Sequence, residues 1–395
     1  MGGHPMAKTD LASGWLRKNR AALLVLLAAL VIFVAVRALV APEKTAPNTA
    51  GNYVEYENGK VLQILTDSTE QDEASDGAWR GEQMMLVEIT TGQYKGETLQ
   101  VYNYVGPLYG VPLKAGDRCT LTVSTYSDGD VQATVYEYDR VAPLVIIAAL
   151  FVLVTVLVGG RTGAKSLVGL VFTVLSVFFL LFPALIKGAP TLLSTFLTCV
   201  YVAAVSFTVL GGVQKKTVCA LLGTVSGMAL ALLFALLAQA LLRINGLRGA
   251  DVEPLLQLRQ TGTPIRLRGL LAAGVILSSL GAVMDVAMSL SSALAEVHAA
   301  DPMMDRKALF RSGMNIGRDM VGTMTNTLIL AFLGGGLILT LYIYTLGLSA
   351  HQLLSSAYLA VEVMMAVSSS VGVILSVPIT ALISAWAYAD KPIQQ

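Results

Sequence analysis

Hydrophobic positions fall into two kinds of run. Long apolar stretches occupy Ala21 to Val40, Val141 to Val158, Leu167 to Ile186, Thr191 to Val213, Val218 to Leu242, Leu270 to Val297, Met320 to Tyr344 and Gln352 to Tyr388. A helix rises about 1.5 Å per residue and a hydrocarbon layer is ~30 Å thick, so each stretch reads as a transmembrane helix. Eight spans are expected.

Between the first and second stretches the pattern changes to short β-branched and aromatic runs: Tyr53 to Tyr56, Val61 to Leu65, Met84 to Thr90, Thr98 to Val105, Cys119 to Tyr126 and Val131 to Tyr138. Asn58-Gly59, Asp76-Gly77 and Asp128-Gly129 are the expected turns. Alternation in Thr120-Leu-Thr-Val-Ser-Thr-Tyr126 gives one buried and one wet face. A small β-barrel, OB-like or SH3-like, is predicted. The organisation is a tail and anchor helix at 1–41, a β-domain at 42–141, a seven-helix transmembrane domain at 142–390 and a short tail at 391–395.

The last apolar stretch is too long for one straight span, because 37 residues reach about 55 Å as a helix. A break at Ser368-Ser-Ser370 and Gly372 is expected. It would leave an in-plane or re-entrant segment over 352–367 and a span from about 370 to 388, kinked by Pro378.

Composition agrees with this class. Of 395 residues 55% are hydrophobic and 13% charged, about half the charge of a soluble domain at roughly 25%. A net charge of +1 hides a segregation: residues 42–141 hold sixteen carboxylates against seven basic groups, and residues 142–241 hold no carboxylate. Cys119, Cys199 and Cys219 make neither a disulfide framework nor a spaced metal site.

Basic residues set the expected orientation. Lys8, Arg17, Lys18 and Arg20 precede the anchor, and Arg161 with Lys165, Lys215 with Lys216, and Arg306, Lys307, Arg311 and Arg318 fall on the same side in an eight-span count. That side is the cytoplasm, with both termini in it and the acidic β-domain outside. One loop disagrees: residues 243–268 carry Arg243, Arg248, Arg259, Arg266 and Arg268 against Asp251 and Glu253, yet fall outside.

Polar groups inside spans are the candidates for function, since a carboxylate near a helix centre costs roughly 2.5 to 3.5 kcal/mol on insertion scales. Asp285 is the clearest, on a stripe with Ser278, Gly281, Ser289, Ser292 and Glu296. Packing by small and hydroxylated residues explains the serines and the glycine but not the carboxylate. Asn315, Asp319, Thr323 and Asn326 form a second stripe, with Arg318 beside Asp319 as an interfacial charge pair in the plainer reading. Asp301-Pro302 suggests a cap, so a short helix over Met303 to Phe310 is expected before this span. Glu362 is the last carboxylate in an apolar run, with Ser369 and Ser376 at seven-residue steps. Gly223 and Gly227 suit a close helix contact, and Gly334-Gly-Gly336 should loosen the seventh span.

Enzymatic signals are weak. His4, His298 and His351 are not within helical reach of one another, so a histidine metal site or a Ser/His pair has little material. Gly159-Gly-Arg-Thr-Gly-Ala-Lys165-Ser166 lacks the Gly-Lys junction and preceding strand of a phosphate loop, and reads as a basic cytoplasmic loop.

Two stretches carry a resemblance. Gly281-Ala-Val-Met-Asp285-Val-Ala-Met-Ser289 and Ser312-Gly-Met-Asn315-Ile-Gly-Arg318-Asp319-Met-Val-Gly322-Thr-Met-Thr-Asn326-Thr-Leu-Ile-Leu resemble the signature segments of the bacterial YibE/F-like multi-pass membrane proteins. The resemblance runs over roughly 140–390 and ends in a similar pattern of Gly372 and Pro378 to Thr380. It implies a bacterial plasma-membrane protein and points to Asp285, Asn315, Asp319 and Asn326. It supplies no substrate.

The expected function is therefore a transporter or permease for a cation, a proton or a small solute, without catalysis or cofactor. Asp285 would titrate or coordinate, Asn326 would offer neutral oxygen, and Ser289, Ser292, Asn315, Asp319, Thr323 and Glu362 would extend the path. The rival readings are a non-catalytic scaffold or sensor presenting the β-domain, and a permease subunit worked by a cytoplasmic ATPase. Expected partners are the lipid bilayer and a second copy or a paralogous membrane protein, with no nucleic acid. No metal is assigned.

Overall fold

In a computed structural model the described residues are 20–40, 53–126, 131–244 and 253–389. The expected turn at Asp128-Gly129, the basic residues Lys8, Arg17 and Lys18, and the tail at 391–395 lie outside them. The chain divides into two compact units, residues 43–157 and residues 1–42 with 158–395.

The first unit is a barrel of β1 (Tyr53–Asp67), β3 (Ala78–Ile89), β4 (Thr98–Val105), β5 (Arg118–Thr125) and β6 (Val131–Tyr138), with a short strand β2 (Glu70–Asp72) beside β3. The strands pair in the closed order β1-β3-β4-β6-β5-β1, antiparallel except between β4 and β6. This is the OB-type order rather than the SH3-type. Alternation fills the inside: Met85, Val87, Ile89, Val101, Leu121 and Val123 are buried, while Tyr102 and Tyr104 stack outside.

One expected turn is absent. Asn58-Gly59 lies inside β1, which merges two of the expected strands. A Cβ at Gly59 would approach Val87 Cγ1 to 2.6 Å and Leu121 Cδ1 to 2.9 Å. The glycine serves close packing across the barrel rather than a reversal. Asp76-Gly77 does turn, with φ of 56° and 76°.

The barrel also buries an amide pair, Gln83 and Asn103. Gln83 Nε2 donates to Asp67 Oδ2 (2.8 Å) and Leu113 O (3.1 Å), and its Oε1 accepts from Leu113 N (2.8 Å) and Asn103 Nδ2 (3.0 Å). These hydrogen bonds offset the desolvation cost of placing the amides in the core.

In the second unit the helices are α1 (Arg20–Val40), the later part of α2 (Val141–Ser176), α3 (Phe182–Ile186), α4 (Thr191–Gly211), α5 (Lys215–Leu242), α6 (Glu253–Gln260), α7 (Leu270–Ala300), α8 (Arg306–Gly335), α9 (Leu337–Thr345), α10 (Ala350–Leu354) and α11 (Ala357–Tyr388). Among the described residues six helical stretches are long and apolar enough to cross a membrane, and α8 with α9, bent by 63°, makes a seventh. The bend falls at Gly334-Gly-Gly336, as the sequence suggests.

Contacts fix the helix directions. Leu192 of α4 lies by Gly269 at the start of α7, and Met288 of α7 lies by Gly211 at the end of α4, so α4 and α7 run parallel. Gly223 and Gly227 of α5 face Thr380 and Ser376 of α11, so that pair is antiparallel. Gly313 and Gly317 of α8 face Ala381 and Val377 in the same sense. Tyr201 Oη donates to Ala29 O (2.6 Å) and Lys187 Nζ to Leu39 O (2.9 Å), which sets α1 antiparallel to α4. Helix α11 sits at the centre, packed on α5, α7 and α8.

Three further expectations are corrected. Helix α11 does not break at Ser368-Ser-Ser370. These serines are buried, and Ser370 Oγ donates to Ala366 O (2.8 Å) inside the helix. Small side chains bring a neighbouring helix close rather than ending their own, and the real break lies earlier, between α10 and α11. No separate helix covers Met303 to Phe310. Asp305, accepting from Ala308 N (2.7 Å), caps one continuous α8, while Asp301 only accepts from Met303 N (3.2 Å). The stretch at Gly159 to Ser166 is not an open loop: α2 is interrupted only at Gly160, at φ 54° and ψ −135°, which glycine alone adopts readily.

Candidate functional site

Helix α7 buries Val283, Val286, Ala287, Leu290 and Leu294, so its opposite face carries Gly281, Asp285, Ser289 and Glu296, all exposed, with Ser292 half-buried. Helix α8 buries Leu309, Gly313 and Gly317 and turns Asn315, Asp319, Thr323 and Asn326 outward. A 3.6-residue period leaves no other result once one face is packed on α11.

The structure thus moves both stripes. The two stripes lie on the outside of the single chain, where the sequence reading put them along a route through the bundle. The hydrophobic face of each helix won the interior. Among the described residues, the side chains of Asp285, Asn315, Asp319 and Asn326 make no hydrogen bond or ion pair with one another. Arg318 likewise forms no ion pair with Asp319. Thr323 Oγ1 donates to its own helix, to Met320 O (3.1 Å) and Asp319 O (3.3 Å).

The stripes do share a depth. Leu294 of α7 touches the position of Gly313 on antiparallel α8. From that contact, at about 1.5 Å per residue, Asp285 lies about 13 Å and Asp319 about 9 Å along the same direction, within one turn of each other. Glu362 sits elsewhere, half-buried, with its carboxyl carbon 3.5 Å from where a Cβ of Gly336 would stand. It rests at the bend, where a carboxylate complements the amino end of α9.

The interior is polar in a different way. Ser368, Ser369, Ser370, Ser376 and Thr380 of α11 and Thr217 and Thr224 of α5 are all buried, with Ser376 and Thr380 facing α5. Ser369 meets Ser278 of α7 at 3.1 Å, and Ser376 and Thr224 donate to their own helices. The hydroxyls of Ser368, Thr380 and Thr217 have no partner. The sequence signal was the density of hydroxyls in the last apolar stretch, where Ser368-Ser-Ser370 reads as a helix break instead.

Among the described residues no three His, Cys, Asp or Glu side chains gather as a metal cluster would need. The fold defines a bundle of helices long and apolar enough to cross a membrane, in a chain that also carries a small β-barrel unit. A family model described as YibE/F-like protein matches residues 147–390, and the chain belongs to that family. No curated protein and no solved structure matches it.

Proposed function

We propose that this is an eight-span plasma-membrane permease for a cation, a proton or a small cationic solute, with its polar path along the exposed faces of α7 and α8. The observation that carries this reading is the outward position of Asp285, Asp319 and Asn326 on helices of membrane length. A carboxylate facing hydrocarbon is costly, so these faces are covered in the membrane, by a second copy or a paralogous partner that closes the path.

The span count follows from Gly160. Val141–Ile186 is 46 residues, about 69 Å as one helix and twice the thickness of the layer. Divided at Gly160 it supplies two spans, which with α1, α4, α5, α7, α8–α9 and α11 makes eight. The basic groups near Arg161, Lys215 and Arg306 then share the cytoplasmic side, and the barrel lies outside.

A non-catalytic scaffold is the second reading, favoured by the close packing of α5 on α11. A Cβ at Gly227 would come within 2.7 Å of Val283 Cγ1 and 2.8 Å of Ser376 Cβ, which leaves no room for a solute there. An ATPase-coupled subunit is favoured less: Arg306, in the basic segment that would dock such a partner, donates to Ala389 O (2.9 Å) and stacks over Trp386.

The deciding experiment is ion flux in proteoliposomes, with and without a pH gradient, for the native chain and Asp285→Asn at matched folded amounts. Loss of flux by about tenfold or more in the variant is expected. Equal flux in both would remove Asp285 from the path, and no flux in either would favour the scaffold.

A further inference from the structure

The basic segment that contradicts the charge rule is built into a cavity. Two residues after α6 the chain turns at Gly262 (φ 102°), and a strap leads from it to Gly269 (φ 86°), the residue before α7. Along the strap side chains alternate: Ile265 and Leu267 are buried, at 6% and 2% exposure, and Arg266 and Arg268 stand out between and after them. Two guanidinium groups on one side are the consequence. The strap is fastened to the start of α4, where Thr191 Oγ1 donates to Arg266 O (2.9 Å) and Gly269 packs on Leu192.

Arg259, from α6, completes the set. Arg259, Arg266 and Arg268 line a cavity of about 750 Å³ together with Leu192, Leu256 and Leu267, and among the described residues no carboxylate lines it. Among the described residues none of the three guanidinium groups has an ion pair. Three like charges around one concavity repel unless an anion joins them, and guanidinium forks match phosphate oxygens two at a time. The volume suits a small ligand. The leucines beside the arginines suit an apolar portion.

We propose that this cavity binds a phosphate-bearing anion, either the headgroup of an anionic phospholipid or a soluble phosphate. It lies at the end of the bundle where α4 and α7 begin, opposite the end that carries Lys215 and Arg306. The arginines of 259–268 are there for a ligand, which is why they run against the distribution of charge in the other loops.

The test uses the full chain in phosphatidylcholine nanodiscs or detergent. In one arm inorganic phosphate is titrated against chloride at constant ionic strength, and the thermal unfolding temperature is read. In the other, phosphatidylglycerol retained through purification is counted against phosphatidylcholine by native mass spectrometry. A phosphate-dependent rise or selective retention of phosphatidylglycerol is expected, and which of the two occurs identifies the source. In Arg266→Gln/Arg268→Gln, an exposed pair whose loss relieves the repulsion and should not lower the ligand-free unfolding temperature, apparent affinity should fall by about tenfold or more. Arg161→Gln, an exposed arginine away from the cavity, should behave as wild type. If the double variant fails to fold, Arg259→Lys replaces it and should weaken binding while keeping the charge. The proposal is overturned if the native chain shows neither effect, or if the variant that folds binds as the native chain does.

Discussion

Asp67 shows how a single exposed residue couples the barrel to pH. Its carboxylate accepts from Thr69 Oγ1 (2.7 Å), Thr69 N (2.9 Å) and Gln83 Nε2 (2.8 Å), and these bonds, those of Thr69 foremost, hold its pKa below the usual carboxylate range. A depressed folded-state pKa means stability that is present above the unfolded value, about 4, and lost as pH falls through the folded value. Amide exchange in β1 and β3, corrected for the intrinsic rate, should therefore accelerate as pH falls below about 4, and less so in Asp67→Asn. An identical acid response in the variant would mean that other carboxylates carry it. The thiol of Cys119, buried in the same barrel, is pushed up to about 12 by burial and by the charges of Asp117 and Asp139, so it stays protonated and is no candidate nucleophile. At this scale the sequence singled out Asp285, a carboxylate in an apolar run, but not the outer face it takes, which the packing of α7 decides. It was not legible for Gln83, whose role depends on Leu113, 30 residues away.

Glycines set the approach of the helices, and their positions divide into two kinds that the sequence does not separate. On α8, a Cβ at Gly317 would run into Val377, whereas one at Gly322 would meet nothing within 4 Å. Both glycines belong to the same motif. Gly317→Leu should lower the unfolding temperature in detergent, at a cost of about 1–3 kcal/mol for overpacking, and Gly322→Ala should leave it unchanged or slightly raised. Equal effects at the two positions would mean that α8 is rotated from the position described. The length of the apolar runs predicted the long helices but not the short α6 and α10, and Gly223, Gly227 and Gly334-Gly-Gly336 predicted one close contact and one bend. The boundaries of α8 and α11 escaped because competing local signals, Asp301-Pro302 and Ser368-Ser-Ser370, are resolved by tertiary packing: Arg306 bonds the end of α11, and Ser369 meets Ser278 of α7. Asn58-Gly59 escaped for the same reason, since a glycine needed for close packing and one needed for a turn look alike in sequence.

On the whole molecule the exposed surface is of two sorts. Large apolar side chains such as Leu24, Leu27, Leu237 and Leu241 stand out from α1 and α5, as expected of surfaces that meet lipid. The faces of α7 and α8 instead expose Asp285, Ser289, Asn315, Asp319 and Asn326. Lipid satisfies the first surface and not the second, so a protein partner on the second is the cheaper arrangement. The α7 stripe also offers Gly281, Ser289 and Ser292, small enough for a second helix to approach closely. If the partner is a second copy related by a twofold axis, the same patch meets itself. Ser289→Cys should then give a disulfide-linked dimer on mild oxidation in membranes, while Leu237→Cys, on the apolar surface of α5, should not. The native thiols Cys119, Cys199 and Cys219 are all buried, which keeps the background low. A cross-link to a protein of different mass in native membranes, with none in the purified chain, would identify a distinct partner. Equal cross-linking at both positions would show random collision, and the path proposed along α7 and α8 would then need another wall.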